Sequence, residues 1–215
     1  MNFQAKWPGE RGLLPVRLLK EYAYCPRYAY FQVFLARSYV TCSMRAALEV
    51  EDPLARLDPD SWRVERGVYV ASRRLGLHGF VDALLVRGRL VKVVEAKALT
   101  RVSSRALRGR LRHVMAQAGA YGMCAEESLG LTLTGVVIVG SNGVVEEKVT
   151  PAHRRYVESL ARGLWRMVIR EEDPGPRPRR ECGYCVYGDV CRAVGLRPSS
   201  GLGWLARLHA SSSSS

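Results

Sequence analysis

The sequence lacks any run of about 18 uncharged apolar residues, the length that a membrane-spanning helix requires. Its first stretch, MNFQAKWPGERGLLPVRLLKEY, carries charges through its apolar part and lacks the core of a secretory signal peptide. No internal repeat is evident. These absences argue against a membrane span and predict a cytoplasmic protein, in which cysteines stay reduced and clustered cysteines more often bind metal than form disulfides.

Lysine and acidic residues are scarce in a chain that is otherwise ordinary in composition. Only five of the 33 cationic residues are lysines, and 20 acidic residues leave a net charge of +13. This excess favours a polyanionic partner, with nucleic acid first and an anionic membrane second. Codon bias in a GC-rich genome would also enrich arginine, so composition alone leaves that alternative open.

The 215 residues are 47% hydrophobic, which predicts one soluble globular domain over residues 1–197. The tail 198–215 is of low complexity and is expected to be disordered. Helical patterns cover 13–37 with an interruption at Cys25–Pro26, 41–51, 103–127 and 151–170; strand patterns cover 62–71, 77–86, 89–98, 131–140 and 144–149. This order predicts an α/β protein with a mixed sheet rather than a repeated βαβ series.

Two carboxylates and a lysine lie in neighbouring predicted strands. Asp82 is surrounded by apolar residues in GFVDALLV, and VKVVEAKAL places Glu95 and Lys97 on one face of the next strand. If the strands form a hairpin, Asp82 and Glu95 converge into the kind of oxygen site that Mg²⁺ and Mn²⁺ prefer. A neighbouring lysine can position water for attack on a phosphodiester while the metal stabilises the developing charge. Two exposed residues paired across the sheet are the alternative.

Arginines recur at helical spacing after the lysine. One predicted helical stripe consists of Arg101, Arg105, Arg108 and Arg112. Four cations without acids would repel one another unless an anion lies there, so the stripe favours a phosphate-backbone track; a solvated helix face is the alternative. Gly109 weakens a helix by about 1 kcal/mol, and a bend or break is expected there.

A cysteine pattern joins the two ends of the chain. Cys182, Cys185 and Cys191 follow a C-x2-C-x5-C spacing, and Cys25 lies far upstream in similarly aromatic surroundings. Four thiolates can hold either zinc or an iron–sulfur cluster. Zinc sites usually combine two C-x2-C pairs, so the isolated cysteine and the longer arm suit a cubane cluster better. Either metal would clamp the first helix to the C-terminal segment.

These motifs together resemble a known family. GFVD, EAK and QAGAY reproduce, in order, the GxxD, ExK and QxxxY motifs of RecB-like nucleases. The four cysteines resemble the iron–sulfur subgroup, and the size and the YCPRYAYF segment are most similar to the CRISPR-associated exonucleases of that subgroup, the fourth of the Cas protein families. The resemblance spans about residues 14–192.

The resemblance implies a restriction-endonuclease-like core and an exonuclease that acts on single-stranded DNA ends, trimming DNA for the CRISPR integrase. It implies a 4Fe–4S cluster on the four cysteines, held by the segments 14–37 and 181–192. Asp82, Glu95 and the Ala96 carbonyl would hold Mg²⁺ or Mn²⁺, and Lys97 would orient the attacking water. Gln117 and Tyr121 would contact DNA or brace the site. A homo-oligomer is compatible with these features.

The sequence departs from the family pattern in one motif. The family usually carries SM-x-x-G-x-x-x-H before the first strand, whereas SMRAALEVE has Ala47 and Glu51 at the glycine and histidine positions. Glu51 is the candidate metal ligand, Glu49 is its rival, and His78 is interpreted as a strand residue rather than a ligand. The departure leaves open a DNA-binding module without cleavage that docks on the integrase. A RecB-like nuclease in DNA repair is the other enzymatic alternative.

Overall fold

The computed structural model describes residues 12–35, 52–57, 61–97 and 99–193. The predicted helix over 41–51, the candidate ligand Glu51 and its rival Glu49, and the tail 198–215 lie outside the described residues. Within them no helix has the length and apolar character that crossing a membrane would require.

Two helices open the described chain, separated by a proline as the sequence predicts. Helix α1 (Val16–Tyr24) ends before Cys25, and helix α2 (Pro26–Phe34) begins directly after it. Cys25 is extended and caps both helices. Pro26 takes the first helical position, where its missing N–H costs no hydrogen bond. The cysteine is therefore held at a rigid corner between two helices.

Two sheets follow. The strands are β1 (Leu14–Pro15), β2 (Arg63–Arg66), β3 (Tyr69–Ser72), β4 (Leu77–Phe80), β5 (Ala83–Arg87), β6 (Leu90–Lys97), β7 (Thr132–Gly140) and β8 (Gly143–Lys148). The small sheet has the order β1-β4-β3, and the large sheet has the order β2-β5-β6-β7-β8. β6 and β7 are parallel, whereas β5 and β6 form an antiparallel hairpin, so the large sheet is mixed as predicted.

The prediction of single strands over 62–71 and 77–86 was wrong. Each stretch divides into two strands that belong to different sheets, β2 and β3 in the first and β4 and β5 in the second. The first division falls at Gly67, whose φ of 60° suits glycine, and the second falls at Val81 and Asp82. The chain thus leaves the large sheet, forms the β3–β4 hairpin and returns at Asp82.

The helical stretch after β6 is also divided. Helix α3 (Ser104–Arg108) ends at Gly109, and helix α4 (Arg112–Leu129) continues to Gly130, whose φ is 66°. Helix α5 (Pro151–Arg170) is capped by Thr150, whose hydroxyl accepts from the His153 N–H at 3.2 Å. Short turns of 3₁₀ helix at Pro53–Arg56 and Arg180–Tyr184 and helix α6 (Gly188–Ala193) complete the described elements.

The main core lies between the helices and one face of the sheets. It joins buried residues of α1, α2, α4 and α5 to strand residues such as Leu77, Val91 and Ile138. A smaller apolar cluster covers the other face of the large sheet, around Ala83, Val94 and Leu54. Burial on both faces explains why β6 and β7 are nearly continuous apolar runs. It also places Glu95, near the end of β6, in a low-dielectric setting.

The two ends of the described chain are joined by a buried ion pair. Arg27 donates from Nε and Nη2 to Asp173 at 2.8 to 3.1 Å, and both side chains are 1% exposed. The remaining nitrogen, Nη1, donates to the Cys191 carbonyl at 3.0 Å and to its Sγ at 3.2 Å. Asp173 also accepts from the Gly175 N–H at 2.9 Å. Helix α2 is thereby fixed to the segment that carries the last cysteines.

Candidate active site and cysteine cavity

The β5–β6 hairpin brings Asp82 and Glu95 together. The register pairs Ala83 with Val94, so the next pair outward is Asp82 and Glu95. Asp82 accepts a hydrogen bond from the Ala96 N–H at 2.7 Å, and Glu95 forms an ion pair with Lys97. Because residues two apart in a strand share a face, the lysine reaches back along β6 to the carboxylate. The predicted convergence of these three residues is found in the structure.

Glu95 lies in an environment that opposes its charge. Its side chain is 3% exposed, and burial raises its pKa, with Asp82 acting in the same direction and Lys97 in the opposite one. Oε1 contacts Lys97, whereas Oε2 is buried without a hydrogen-bond partner. An unsatisfied buried carboxylate oxygen is costly and calls for a ligand. A divalent cation fits this oxygen, because carboxylates are the ligands that Mg²⁺ and Mn²⁺ prefer.

Asp82 differs from Glu95 in its access to solvent. The residue is exposed and lies at the bend between β4 and β5. One of its oxygens is fixed by the Ala96 N–H, which orients the carboxylate towards the end of β6. One exposed and one buried carboxylate thus meet where substrate can approach from solvent. The described residues include no group of three or more His, Cys, Asp or Glu that could hold a metal ion. Asp82 and Glu95 therefore need further ligands, such as a backbone carbonyl, water or a group outside the described ranges.

Gln117 and Tyr121 lie one turn apart on α4, and both are buried. Burial raises the pKa of Tyr121 to about 12, with Glu95 acting in the same direction, while a hydrogen bond with Gln117 opposes the shift. The Tyr121 ring lies so close to Gly79 in β4 that a Cβ there would stand 2.9 Å from its Cε1. The tyrosine therefore packs against the β3–β4 hairpin and lies near enough to Glu95 to be affected by its charge, while the role of the pair in the site stays a prediction.

Two residues that the sequence did not single out also lie near the site. Lys20 on α1 acts electrostatically on Glu95, and it forms an ion pair with Glu21 at 2.8 Å. His113 on α4 contacts the ring of Tyr24 at 5.2 Å between centroids. Burial lowers the pKa of His113 to about 4, with Lys20, Lys97 and Arg179 acting in the same direction. The scarcity of lysine was the only sequence signal for Lys20, because its approach to Glu95 depends on tertiary packing.

His78 occupies a strand position, as interpreted from the sequence. It pairs with Ala71 across the β3–β4 hairpin, and its ring lies 5.8 Å from that of Tyr69. Burial lowers its pKa, and its Nδ1 is buried without a hydrogen-bond partner. Cys124, which is not one of the four predicted cluster ligands, is fully buried on α4, and burial raises its pKa to about 12.

The four predicted arginines do not form one helical stripe. Arg101 precedes the helices, Arg105 and Arg108 lie on α3, and Arg112 begins α4. The division falls at Gly109, where a break was expected. Arg108 lies 3.4 Å from Glu147, so the set is not free of acids. Arg112 donates from Nε to the Tyr156 hydroxyl at 2.9 Å. All four arginines are exposed, which leaves their assignment to DNA binding a prediction.

All four predicted cluster ligands line one cavity, which is separate from the carboxylate site. Its volume is about 390 Å³, and Arg27, Tyr28 and Phe31 of α2 form one side of it. The four cysteines that line it are Cys25, Cys182, Cys185 and Cys191. These cysteines share one cavity, but neither they nor any other three His, Cys, Asp or Glu in the described ranges form a group that could hold a metal ion. Binding of a cluster or of zinc there stays a prediction.

Comparisons with known proteins relate this chain to nucleases. The sequence pattern of the PD-(D/E)XK nuclease superfamily matches residues 28–192. The CRISPR-associated exonuclease Cas4 of Aeropyrum pernix is 37% identical over 188 residues, which cover 83% of this chain and 94% of that protein. The solved structure of a putative exonuclease from Eubacterium rectale covers 90% of this chain and 92% of its own, with a TM-score of 0.50 at 13% identity. The predicted restriction-endonuclease-like fold is thereby confirmed.

Proposed function

We propose that this chain, which belongs to the PD-(D/E)XK nuclease superfamily and within it to the Cas4 family of CRISPR-associated exonucleases, degrades single-stranded DNA from its ends. The observation that carries this proposal is the buried Glu95 oxygen without a partner, which lies beside Lys97 and opposite Asp82. A site built only for stability would satisfy both oxygens of a buried carboxylate.

In this proposal Asp82, Glu95, the Ala96 carbonyl and Glu51 would hold Mg²⁺ or Mn²⁺, which would supply positive charge to stabilise the charge that develops on the phosphate. Glu95 Oε1 holds the Lys97 ammonium at the edge of the carboxylate pair. From there Lys97 can donate a hydrogen bond to an attacking water or to a phosphate oxygen. Gln117 and Tyr121 would border the site on the side of α4, where the charge of Glu95 contributes to the raised pKa of Tyr121.

We also propose that Cys25, Cys182, Cys185 and Cys191 bind a 4Fe–4S cluster that fixes the two ends of the nuclease to each other. Their common cavity supports this proposal. The long separation between the first and the last three cysteines favours a structural role, because closing so long a loop removes unfolded-chain entropy. Cys182→Ser is expected to lose most of the iron and to unfold at a lower temperature than the wild type. Cys124→Ala is the matched control, because Cys124 does not line the cavity. This variant is expected to retain its iron.

The biological role that fits this chemistry is trimming of DNA before the CRISPR integrase inserts it. The excess of arginine supports a long contact with the DNA backbone, to which the exposed arginines of α3 and the start of α4 would contribute. Removing an exposed phosphate contact is expected to weaken binding at every sequence and to reduce its salt dependence.

The nuclease proposal is tested with end-labelled single-stranded DNA, Mn²⁺ and anaerobically purified protein, beside Lys97→Ala at matched iron content. We expect the wild type to shorten the DNA and the variant to lose at least about 100-fold in rate, because the positioned ammonium is gone. Labelling the 5′ and the 3′ end in separate reactions gives the polarity. Equal cleavage by both proteins would contradict the proposal. DNA binding without cleavage by iron-loaded wild type would favour the non-catalytic binding module instead.

A further inference from the structure

The outer face of the β3–β4 hairpin carries aromatic side chains where polar ones are expected. Tyr69 and Phe80 are 49% and 66% exposed, and they are directly paired across the hairpin. Their ring centroids lie 5.3 Å apart at an angle of 62°. An antiparallel hairpin with one covered face usually places polar residues on the other. Two exposed rings on this face therefore need an explanation.

The inner face of the same hairpin shows that this exposure is not caused by loose packing. Leu77 is fully buried, and Gly79 lies against the Tyr121 ring of α4. His78 alternates with these residues and lies beside Tyr69, on the face that carries Phe80. The hairpin is thus anchored through one face, and its other face presents an aromatic surface to solvent.

This aromatic surface lies next to the catalytic carboxylates. Phe80 precedes Asp82 by two residues, so their Cα atoms are at most about 7 Å apart. Backbone hydrogen bonds hold this short connection, from the Val81 N–H to the Val68 carbonyl at 3.0 Å and from the Gly67 N–H to the Asp82 carbonyl at 3.2 Å. The backbone of Phe80 therefore keeps a fixed position relative to Asp82, close enough in the chain for one single strand to contact both residues.

We propose that Tyr69 and Phe80 form a stacking platform for unpaired bases, which holds a single strand with its phosphodiester at Asp82, Glu95 and Lys97. The inference rests on the proposed nuclease function and specifies how the site would take single strands. Exposed aromatic rings stack on any base, because every base has a π-face, and each stacked base is worth about 1–3 kcal/mol. A base inside a duplex is already stacked on its neighbours and cannot use the platform.

Two other roles compete for the same rings. A directly opposed aromatic pair can stabilise a hairpin by about 0.2–1 kcal/mol without touching a ligand. An exposed apolar pair can also contact a second copy of the chain. Neither role depends on whether the DNA carries bases, whereas stacking depends on it entirely. DNA from which single bases have been removed therefore separates the three roles.

The experiment measures binding of a short single strand by fluorescence anisotropy without divalent metal, so that the DNA stays intact. The proteins are the wild type, Phe80→Ala, Phe80→Leu, Phe80→Tyr and the control Ile169→Ala, which removes an exposed apolar side chain from α5. Each is tested with the complete strand and with strands that carry an abasic residue at one of the three terminal positions. Thermal unfolding and size-exclusion chromatography of every variant monitor folding and oligomeric state.

We expect Phe80→Ala and Phe80→Leu to weaken binding of the complete strand at least about 5-fold, while Phe80→Tyr and Ile169→Ala bind within about 2-fold of the wild type. Removing the one base that stacks on the platform should weaken binding by the wild type by the same factor. The same removal should not weaken binding by Phe80→Ala any further. Equal binding of the complete strand by wild type and Phe80→Ala would overturn the platform. So would an equal effect of the substitution on complete and abasic DNA, or a change confined to oligomeric state.

Failure of this inference is distinguishable from failure of the proposed nuclease. If the wild type cleaves DNA in Mn²⁺ but Phe80→Ala binds as tightly as the wild type, the nuclease stands and the platform falls. If the wild type cleaves nothing but shows the base-dependent loss, the platform stands and the nuclease falls.

Discussion

Two ion pairs with buried carboxylates differ in how fully those carboxylates are hydrogen-bonded. In the pair of Arg27 and Asp173, three guanidinium hydrogen bonds and the Gly175 N–H satisfy the carboxylate, and both side chains are 1% exposed. In the pair of Glu95 and Lys97, the carboxylate is as deeply buried, but its second oxygen has no partner and the lysine is partly exposed. The first pair is complete in itself, whereas the second is complete only with a ligand.

The difference shows how burial can serve either stability or chemistry. A buried charge that is fully paired and hydrogen-bonded fixes two segments in one arrangement, although replacing it with apolar residues can be neutral. A buried carboxylate that is only half satisfied stores unfavourable free energy, which binding of a cation releases. We therefore expect the first pair to stabilise the fold and the second to serve the chemistry. Substitutions at Asp173, at Glu95 and at the neighbouring His113 test this difference.

The largest loss of stability is expected from Asp173→Ala. It leaves the Arg27 charge buried without its carboxylate, and breaking a buried pair in this way costs about 3–5 kcal/mol. Urea unfolding of the iron-loaded protein measures the change in free energy. Glu65→Ala is the control, because it breaks the exposed pair of Arg63 and Glu65 and should cost less than about 1 kcal/mol. Similar losses of stability from both substitutions would show that the buried pair contributes no more to stability than an exposed pair.

The next substitution, Glu95→Gln, should greatly reduce activity while leaving stability nearly unchanged. It keeps the shape of the side chain but removes a charge whose burial already raises its pKa, so we expect a stability within about 1 kcal/mol of the wild type. Cleavage in Mn²⁺ should fall about 100-fold to 1,000-fold, because the metal loses a charged ligand and Lys97 loses its partner. Retained cleavage with a large loss of stability would reverse the roles assigned to the two pairs.

The smallest expected effect concerns His113, beside the second pair. Its folded pKa of about 4 lies below the ordinary value of 6.5, so the unfolded chain binds the proton more readily between these values. The contribution of neutral His113 is therefore fully present above pH 6.5 and is lost as pH falls towards 4. The loss should be about 2 kcal/mol after allowance for partial solvation. Urea unfolding at pH 7 and pH 4.5 measures it, beside His113→Gln.

Comparing the loss of stability of the wild type with that of His113→Gln separates the effect of this histidine from that of other acid-sensitive groups. We expect His113→Gln to lose less stability than the wild type over this pH interval. Identical losses would show that burial and the neighbouring cations do not lower the pKa of His113 in the folded protein.

The sequence predicted those parts of the site that depend on local spacing. Asp82, Glu95 and Lys97 lie in neighbouring strands, so the register of one hairpin is enough to bring them together. The division of 62–71 was missed because alternation of apolar residues continues through Gly67, while the change of sheet depends on distant packing. Arg27 gave no local signal either, because its partner Asp173 lies 146 positions away.

The separation between Arg27 and Asp173 has a consequence for the order in which the protein is made. Asp82 and Glu95 are carried by consecutive strands, so their hairpin can form early in synthesis. Helix α2 and its buried residues Tyr30 and Phe31 cannot receive Asp173 and Tyr187 until translation has nearly finished. During that interval the nascent chain carries an assembled pair of carboxylates and an uncovered apolar helix. The nuclease sheet therefore leaves the ribosome before the closing segment, and the apolar side of this helix stays uncovered until that segment arrives.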